Sequence, residues 1–353
     1  MDKQQIDFTS HELILPNGFT TEQKHRIEYA KITYHTAGQI NKKKDNVIWI
    51  CHALTANSNP GEWWTNFFIN NKWLSPTDHF IVCVNIPGSC YGTFGPLDLG
   101  NAKALYHDFP QITIRDIVKC LQLVADTIGV NKIASLIGAS MGGQQALEWA
   151  IQDPNRIQKL IVLATNAKHS PWGIAYNESQ RWAIENDPTW KEQNPNAGLN
   201  GMKVARSVAL LSYRSFKGFK LTQDDHYQHK KQRKAESYQR HQGNKLASRF
   251  NAFSYYILSK AMDSHDVSRD RKSLEDALER IKADTLVLNL KGDLLFPLED
   301  QKFLSDHIKK SRLETINSQF GHDGFLIETD QIKEVIYKWQ HQLDKIKVNE
   351  KTA

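Results

Sequence analysis

The sequence predicts an α/β domain whose mainly parallel sheet is interrupted by a helical insertion. Strand-sized apolar runs alternate with helix-period segments through residue 166 and again from residue 283. Between them, roughly a hundred residues are polar and rich in Trp, Tyr, Gln, Lys and Arg, with helical but no strand-like periodicity. Within the first part, a glycine-flanked serine joins an apolar run directly to a helix-forming stretch, as a βα unit requires. The expected division is therefore 1–166 and 283–353 for the two parts of the core, with 167–282 as an inserted helical cap. Insertions of that length are usually functional lids.

The elements follow in order. Glu12–Leu15 and Ile27–Tyr34 alternate, as antiparallel strands at a sheet edge do. Asn46–Cys51 and Phe80–Ile86 are continuous apolar runs, expected as buried strands. Ile112–Ile128 carries Ile114, Ile117, Val118, Leu121 and Val124 at helical spacing. Strand Ile133–Ile137, a helix from Met141 to Gln152 and strand Leu160–Leu163 come next. After the insertion the rhythm resumes with strand Thr285–Leu290, helix Leu298–Ile308, short strand Leu313–Ile316 and an amphipathic closing helix, Gln331–Leu343.

Composition narrows the function classes. The 353 residues are enough to bury a full core without disulfide or metal staples. With 40% hydrophobic and 24% charged residues, wholesale disorder is not expected. No stretch approaches the ~18 consecutive apolar residues of a membrane span, and MDKQQIDFTS lacks an apolar signal core. The expectation is a soluble cytoplasmic protein. Cys51, Cys83, Cys90 and Cys120 form no CxxC pair and are expected as mostly buried free thiols. A formal charge of +6 favours an acidic substrate or a phosphate-bearing one without indicating nucleic acid.

Gly138-Ala139-Ser140-Met141-Gly142 is a G-x-S-x-G motif between strand ASLI and helix former QQALEWA. That context separates a nucleophile elbow from an ordinary glycine-rich βα turn: the serine must sit in a strained strand-to-helix turn, which flanking glycines permit. A serine hydroxyl needs a base, and the base needs an orienting carboxylate. Asp293 follows strand TLVLNL in the turn KGD, and His322 follows strand LETI in QFGHDGF. Alone, each has a bland reading, as a turn aspartate or one histidine among 14. In the order Ser, Asp, His, each beyond a strand, they form a triad candidate. The oxyanion donors are expected to be the backbone N–H of Met141, after the nucleophile, and of Leu54, in the loop after VIWIC.

At this point CHALT (51–55), GSCYGTFGP (88–96), DFPQITIRD (108–116), IGASMGGQQALEWA (137–150), FP (296–297) and GHDGFL (321–326) resemble the homoserine O-acyltransferases, which have the α/β-hydrolase fold. The resemblance covers nearly the whole chain, including 175–184 and 236–263 of the cap. It implies Ser140 as nucleophile with Asp293 and His322, Arg206 holding the homoserine carboxylate with Tyr213 as its partner, and Asp323 receiving the substrate ammonium. A planar guanidinium grips a carboxylate through two parallel hydrogen bonds, which suits Arg206; the bland reading is a solvated helix arginine. The chain departs from the family at Ala56, where glycine commonly follows HALT, in the abbreviated loop NSNPGEWW, and at Pro87.

The resemblance implies ping-pong transfer of an acetyl group from acetyl-CoA to L-homoserine, by a homodimer without a bound cofactor or metal. Succinyl-CoA as donor, serine as acceptor, a plain esterase or thioesterase, and a silent binding scaffold are the competing readings. The basic stretch 226–240 reads first as a solvated helix face, next as an attractor of coenzyme A phosphates, and last as a nucleic-acid contact.

Overall fold

The computed structural model describes residues 6–71, 73–98, 103–225 and 233–352. Its strands are β1 (Thr9–Leu15), β2 (Phe19–Thr20), β3 (Arg26–Ile27), β4 (Ala30–Ala37), β5 (Val47–Cys51), β6 (Phe80–Val84), β7 (Ile133–Ala139), β8 (Lys159–Leu163), β9 (Asp284–Leu290) and β10 (Ser311–Ile316). Among the described residues, eight of them form one sheet in the order β1-β4-β6-β5-β7-β8-β9-β10, and β2 pairs with β3. The pairs β1–β4 and β4–β6 are antiparallel, and from β6 to β10 every pair is parallel. The alternating run Glu12–Leu15 thus lies in β1 at the antiparallel edge, the run expected over Ile27–Tyr34 is divided between β3 (Ile27) and β4 beside that edge, and the continuous apolar runs lie inside.

Burial on both faces explains those continuous runs. Val47, Trp49 and Cys51 pack into the core on one face, and Ile48 and Ile50 into the core on the other. Val162 and Ile161 divide in the same way on β8, and Val287 and Leu288 on β9. Successive strand side chains point to opposite faces, so a sheet covered on both sides needs apolar residues at every position.

After β5 come short helices α1 (Pro60–Trp63) and α2 (Thr65–Phe68), and after β6 comes α3 (Ile114–Thr127). The run expected from Ile112 begins two residues later because Thr113 is extended. Its hydroxyl accepts the Asp116 N–H at 3.2 Å while Asp116 accepts the Thr113 N–H at 3.0 Å, a reciprocal cap. Strand β6 ends at Val84, short of the expected Ile86, because the Ile86 N–H turns from the ladder to His52 Nε2 at 3.2 Å.

Helix α4 (Met141–Gln152) matches its expected span, and Met141 through Ile151 are all buried. Its polar residues therefore need partners inside the protein. Gln145 donates to the His52 carbonyl at 3.1 Å, and Glu148 pairs with Arg271 at 2.6 Å and Arg115 at 3.2 Å. These contacts tie the helix after Ser140 to three other segments.

Between β8 and β9 the described residues form α5 (Pro171–Glu185), α6 (Leu199–Tyr213), α7 (Phe216–Gln223), α8 (Lys234–Ala247), α9 (Ala252–Asp263) and α10 (Leu274–Glu279). No strand occurs among them, as the periodicity predicts. Helix α5 starts at Pro171 behind a Ser170 cap, whose hydroxyl accepts the Gly173 N–H at 3.1 Å. The insertion is pinched where its ends meet: Lys168 bridges Asp266, the His169 N–H donates to His265 O at 2.8 Å, and the Val267 N–H donates to Ala167 O at 2.9 Å. Beyond the pinch, Ala277 and Leu278 of α10 pack back into the sheet's core. The chain then completes the sheet with α11 (Leu298–His307), α12 (Gly324–Ile327) and α13 (Thr329–Thr352) around β9 and β10. Cys51, Cys83 and Cys120 are buried free thiols and Cys90 is half-buried. Among the described residues no helix is long and apolar enough to cross a membrane.

Candidate active site

Ser140 stands between β7 and α4 with φ +57° and ψ −127°, a backbone conformation that L-residues rarely adopt. The neighbouring glycines make the turn sterically feasible. A Cβ at Gly138 would lie 2.1 Å from Gly142 O, and one at Gly142 would lie 2.1 Å from Cys51 O. The strained peptide is held by the Ser140 N–H donating to Leu163 O and by Thr165 Oγ1 donating to Ser140 O, both at 3.0 Å.

Serine is a favoured helix cap, yet here its hydroxyl does not cap α4. It lies 2.9 Å from His322 Nε2 instead. His322 Nδ1 lies 2.7 Å from Asp293 Oδ2, and the other carboxylate oxygen accepts the N–H groups of Leu295 at 2.8 Å and Phe296 at 3.0 Å. Since a carboxylate only accepts, the proton sits on Nδ1 and Nε2 is left to accept from the serine. The rings of Phe296, Phe325 and Tyr213 surround the imidazole at 5.3, 5.4 and 5.5 Å between centroids. Ser140, Asp293 and His322 are all at least nine-tenths buried.

The loop after β5 is fixed from three sides. The His52 Nε2 accepts from Ile86, so Nδ1 carries the proton and donates to Ala53 O at 2.9 Å. Burial lowers the His52 pKa to about 4, so the ring is neutral near pH 7. The Ala56 N–H closes a turn on Ala53 O at 3.0 Å. From the insertion, Arg249 Nη1 donates to Thr55 O at 2.6 Å and to the Tyr91 hydroxyl at 2.5 Å. Leu54 lies inside this turn, and Met141 opens α4, where the first-turn N–H groups lack helical acceptors.

Ser140, Leu54, His322, Arg206, Tyr213 and Asp323 line one cavity of about 520 Å³, although they are spread over 270 positions from first to last of the chain's numbering, Leu54 to Asp323. Asp293 lies behind His322, and Met141 is fully buried at the foot of the elbow. The Arg206 guanidinium sits 5.4 Å from the Tyr213 ring centre. Burial, with Asp323 nearby, raises the Tyr213 pKa against the opposing pull of Arg206, so it stays a phenol.

Several residues at the site had no distinguishing sequence signal. Arg214, directly after Tyr213, donates to Asp323 Oδ2 at 2.5 Å. Asp300 on α11 accepts from Asn166 at 3.4 Å; burial raises its pKa to about 6, the Asn166 bond opposes this and Asp293 adds to it. The abbreviated loop supplies Glu62 and Trp63 to the cavity. Of the basic stretch 226–240, residues 226–232 lie outside the described residues, and 233–240 begin α8. The cations that line the cavity are Arg206, Lys245 and Arg249.

Comparison with known proteins gives the family and the fold. Residues 46–329 match the family model described as alpha/beta hydrolase fold. A homoserine O-acetyltransferase of Cyclobacterium marinum is 42% identical over 94% of this chain and 95% of its own length. A solved homoserine O-acetyltransferase from Staphylococcus aureus is 28% identical, with a TM-score of 0.79 and 95% of each chain covered. The solved esterase E22 has a TM-score of 0.84 at 22% identity, covering 94% of this chain and 99% of its own, a likeness of fold alone. The chain belongs to the homoserine O-acetyltransferase family, on the alpha/beta hydrolase fold.

Proposed function

We propose that this member of the homoserine O-acetyltransferase family carries an acetyl group from acetyl-CoA to the side-chain hydroxyl of L-homoserine, with Ser140 as the acyl carrier. The observation that supports this most is the meeting of the Ser140–His322–Asp293 chain with Arg206 and Asp323, charges of opposite sign, in a single cavity. A hydrolase needs only the first set; capture of an amino acid, with its carboxylate and ammonium, calls for the second.

In the first half-reaction His322 Nε2 takes the Ser140 proton as Oγ attacks the thioester carbonyl. The oxyanion is received by the N–H groups of Leu54 and Met141, where losing one such donor costs about 3–4 kcal/mol. The C–S bond breaks and His322 returns its proton to the thiolate, releasing coenzyme A. In the second, Arg206 and Tyr213 hold the homoserine carboxylate and Asp323 its ammonium. His322 removes the hydroxyl proton, the alkoxide attacks the acyl-serine, and collapse returns the proton to Ser140. Residues 167–282 act as the cap that shields the acyl-enzyme from water, a competing nucleophile. The resemblance also carries a cytoplasmic homodimer without a resident cofactor, and sedimentation tests the dimer.

The decisive measurement follows thiol release from acetyl-CoA with and without L-homoserine, with succinyl-CoA and L-serine in parallel. Release that requires homoserine and acetyl-CoA is the expected result. Release indifferent to any amino acid overturns the acceptor half and leaves an esterase or thioesterase.

A further inference from the structure

We infer that Lys245 and Arg249 form the anion-binding mouth of the catalytic cavity and take the phosphate groups of the acyl donor's nucleotide, an inference that rests on the transferase reading above. Two observations carry it independently of sequence pattern.

The first is the cavity's distribution of charge. Its lining holds Arg206, Lys245 and Arg249 against Glu62 and Asp323. Asp323 is already engaged by Arg214 and lies directly after His322. Glu62 accepts from the side-chain amides of Asn57 at 2.8 Å and Asn59 at 3.2 Å, and its charge also bears on the Tyr91 hydroxyl. Lys245, exposed in the last turn of α8, forms no ion pair among the described residues. The surplus charge of the lining is therefore positive.

The second is how Arg249 is held. The acceptors of its Nη1, Thr55 O and the Tyr91 hydroxyl, are both neutral oxygens. They fix the guanidinium at the junction of the insertion and the β5 loop without neutralising it. A planar guanidinium fixed in this way suits phosphate oxygens, which it can grip through paired N–H donors, while a lysine nearby adds a mobile point charge. Of the two proposed substrates only the donor carries phosphates; homoserine has a single carboxylate, for which Arg206 stands beside Tyr213. The Thr55 contact also sits one residue from Leu54, so anion binding at Arg249 would bear on the loop that supplies an oxyanion donor. Binding energy from a remote part of the donor is thereby placed where it can steady the reacting end.

The test compares acetyl-CoA with acetyl-pantetheine, which has the thioester and arm but no nucleotide, in the full-length protein. The readout is the ratio of kcat/KM for the two donors at saturating homoserine. Lys245→Glu is expected to lower that ratio about tenfold or more, and Lys245→Gln less, with melting temperatures checked against the parent. The KM for acetyl-CoA should rise with salt in the parent and less steeply in Lys245→Glu, while the homoserine KM stays flat. An unchanged ratio in both variants overturns the inference, as does a loss equal for both donors. A loss confined to a parallel succinyl-CoA arm assigns the cations to an acyl carboxylate and also overturns it. If the parent protein releases no thiol in response to homoserine from either donor, the transferase reading itself has failed.

Discussion

The sheet and the helical insertion meet in one cavity but hold their residues by different means. Ser140, Asp293 and His322 stand just beyond β7, β9 and β10, parallel strands whose register runs through buried ladders such as Ile50↔Ile137↔Ile161. Arg206 and Tyr213 ride on α6, Lys245 rides on α8, and Arg249 follows directly after the α8 cap Ser248. Their position depends on helix packing and a few bonds to the core: Arg249 to Thr55, Arg214 to Asp323, Ser215 to Gln319, and Trp172 Nε1 to Leu294 O at 2.9 Å. The difference teaches that the proposed bond-making groups are fixed by a covered sheet, whereas the proposed substrate-holding groups depend on helix packing and a few bonds to the core.

Four changes would break or sharpen that contrast. Ser140→Ala should reduce acyl transfer on the order of 10⁶-fold with the melting curve preserved, because triad members act as one unit. Retained turnover in a single-turnover assay would remove Ser140 from the chemistry. Gly142→Ala attacks the sheet side sterically: a Cβ 2.1 Å from Cys51 O must displace backbone. A loss of about 4 kcal/mol or more is expected from urea midpoints, and a loss under ~1 kcal/mol would show that the elbow yields.

Arg206→Ala tests the insertion side. It should lower kcat/KM for homoserine roughly 30- to 150-fold, about 2–3 kcal/mol for the lost charged hydrogen bonds, while slow hydrolysis of the acyl donor persists. Equal losses in both would mean that Arg206 supports the fold or the triad. Acid should loosen the pinch of the insertion. Burial lowers His265 to about 4 and His169 to about 3, with the neighbouring His265 adding to the latter, and His52 to about 4. Each therefore stays neutral when folded but protonates near 6.5 when unfolded. Their stabilisation is complete above 6.5 and is lost as pH falls toward 4, by about 1.4 kcal/mol per histidine per pH unit. Asp300, raised to about 6, has the opposite sign, contributing below its ordinary 3.8 and losing that contribution as pH rises through 6. Hydrogen exchange from pH 7 to 5 should show the 165–169 and 262–267 amides opening before β7; simultaneous opening would dissolve the distinction.

The sequence by itself determined the alternation of strands and helices, the elbow at Ser140, the chain order of the proposed triad and the span of α4. These are local: a run of four to seven apolar residues, a glycine required by one turn, a candidate catalytic residue just beyond a strand end. The resemblance pointed to Arg206, Tyr213 and Asp323, and the fold brings them to the same cavity as Ser140. Tertiary structure alone decided the rest. The polar Gln144, Gln145 and Glu148 of α4 are buried because their partners come from the loop after β5, from Asn166 and from Arg271. Arg214 reaches Asp323 across 109 positions of chain. Lys245 and Arg249 line the cavity, beyond the more conspicuous basic stretch, because α8 lies on α6 in one register: Gln239 bonds to Ser207 O at 3.2 Å, and at Gly243 a Cβ would come within 2.7 Å of Lys203 O. Local pattern sets the path of the backbone, but which side chains share a cavity depends on contacts between distant segments, and these exist only once the helices have packed.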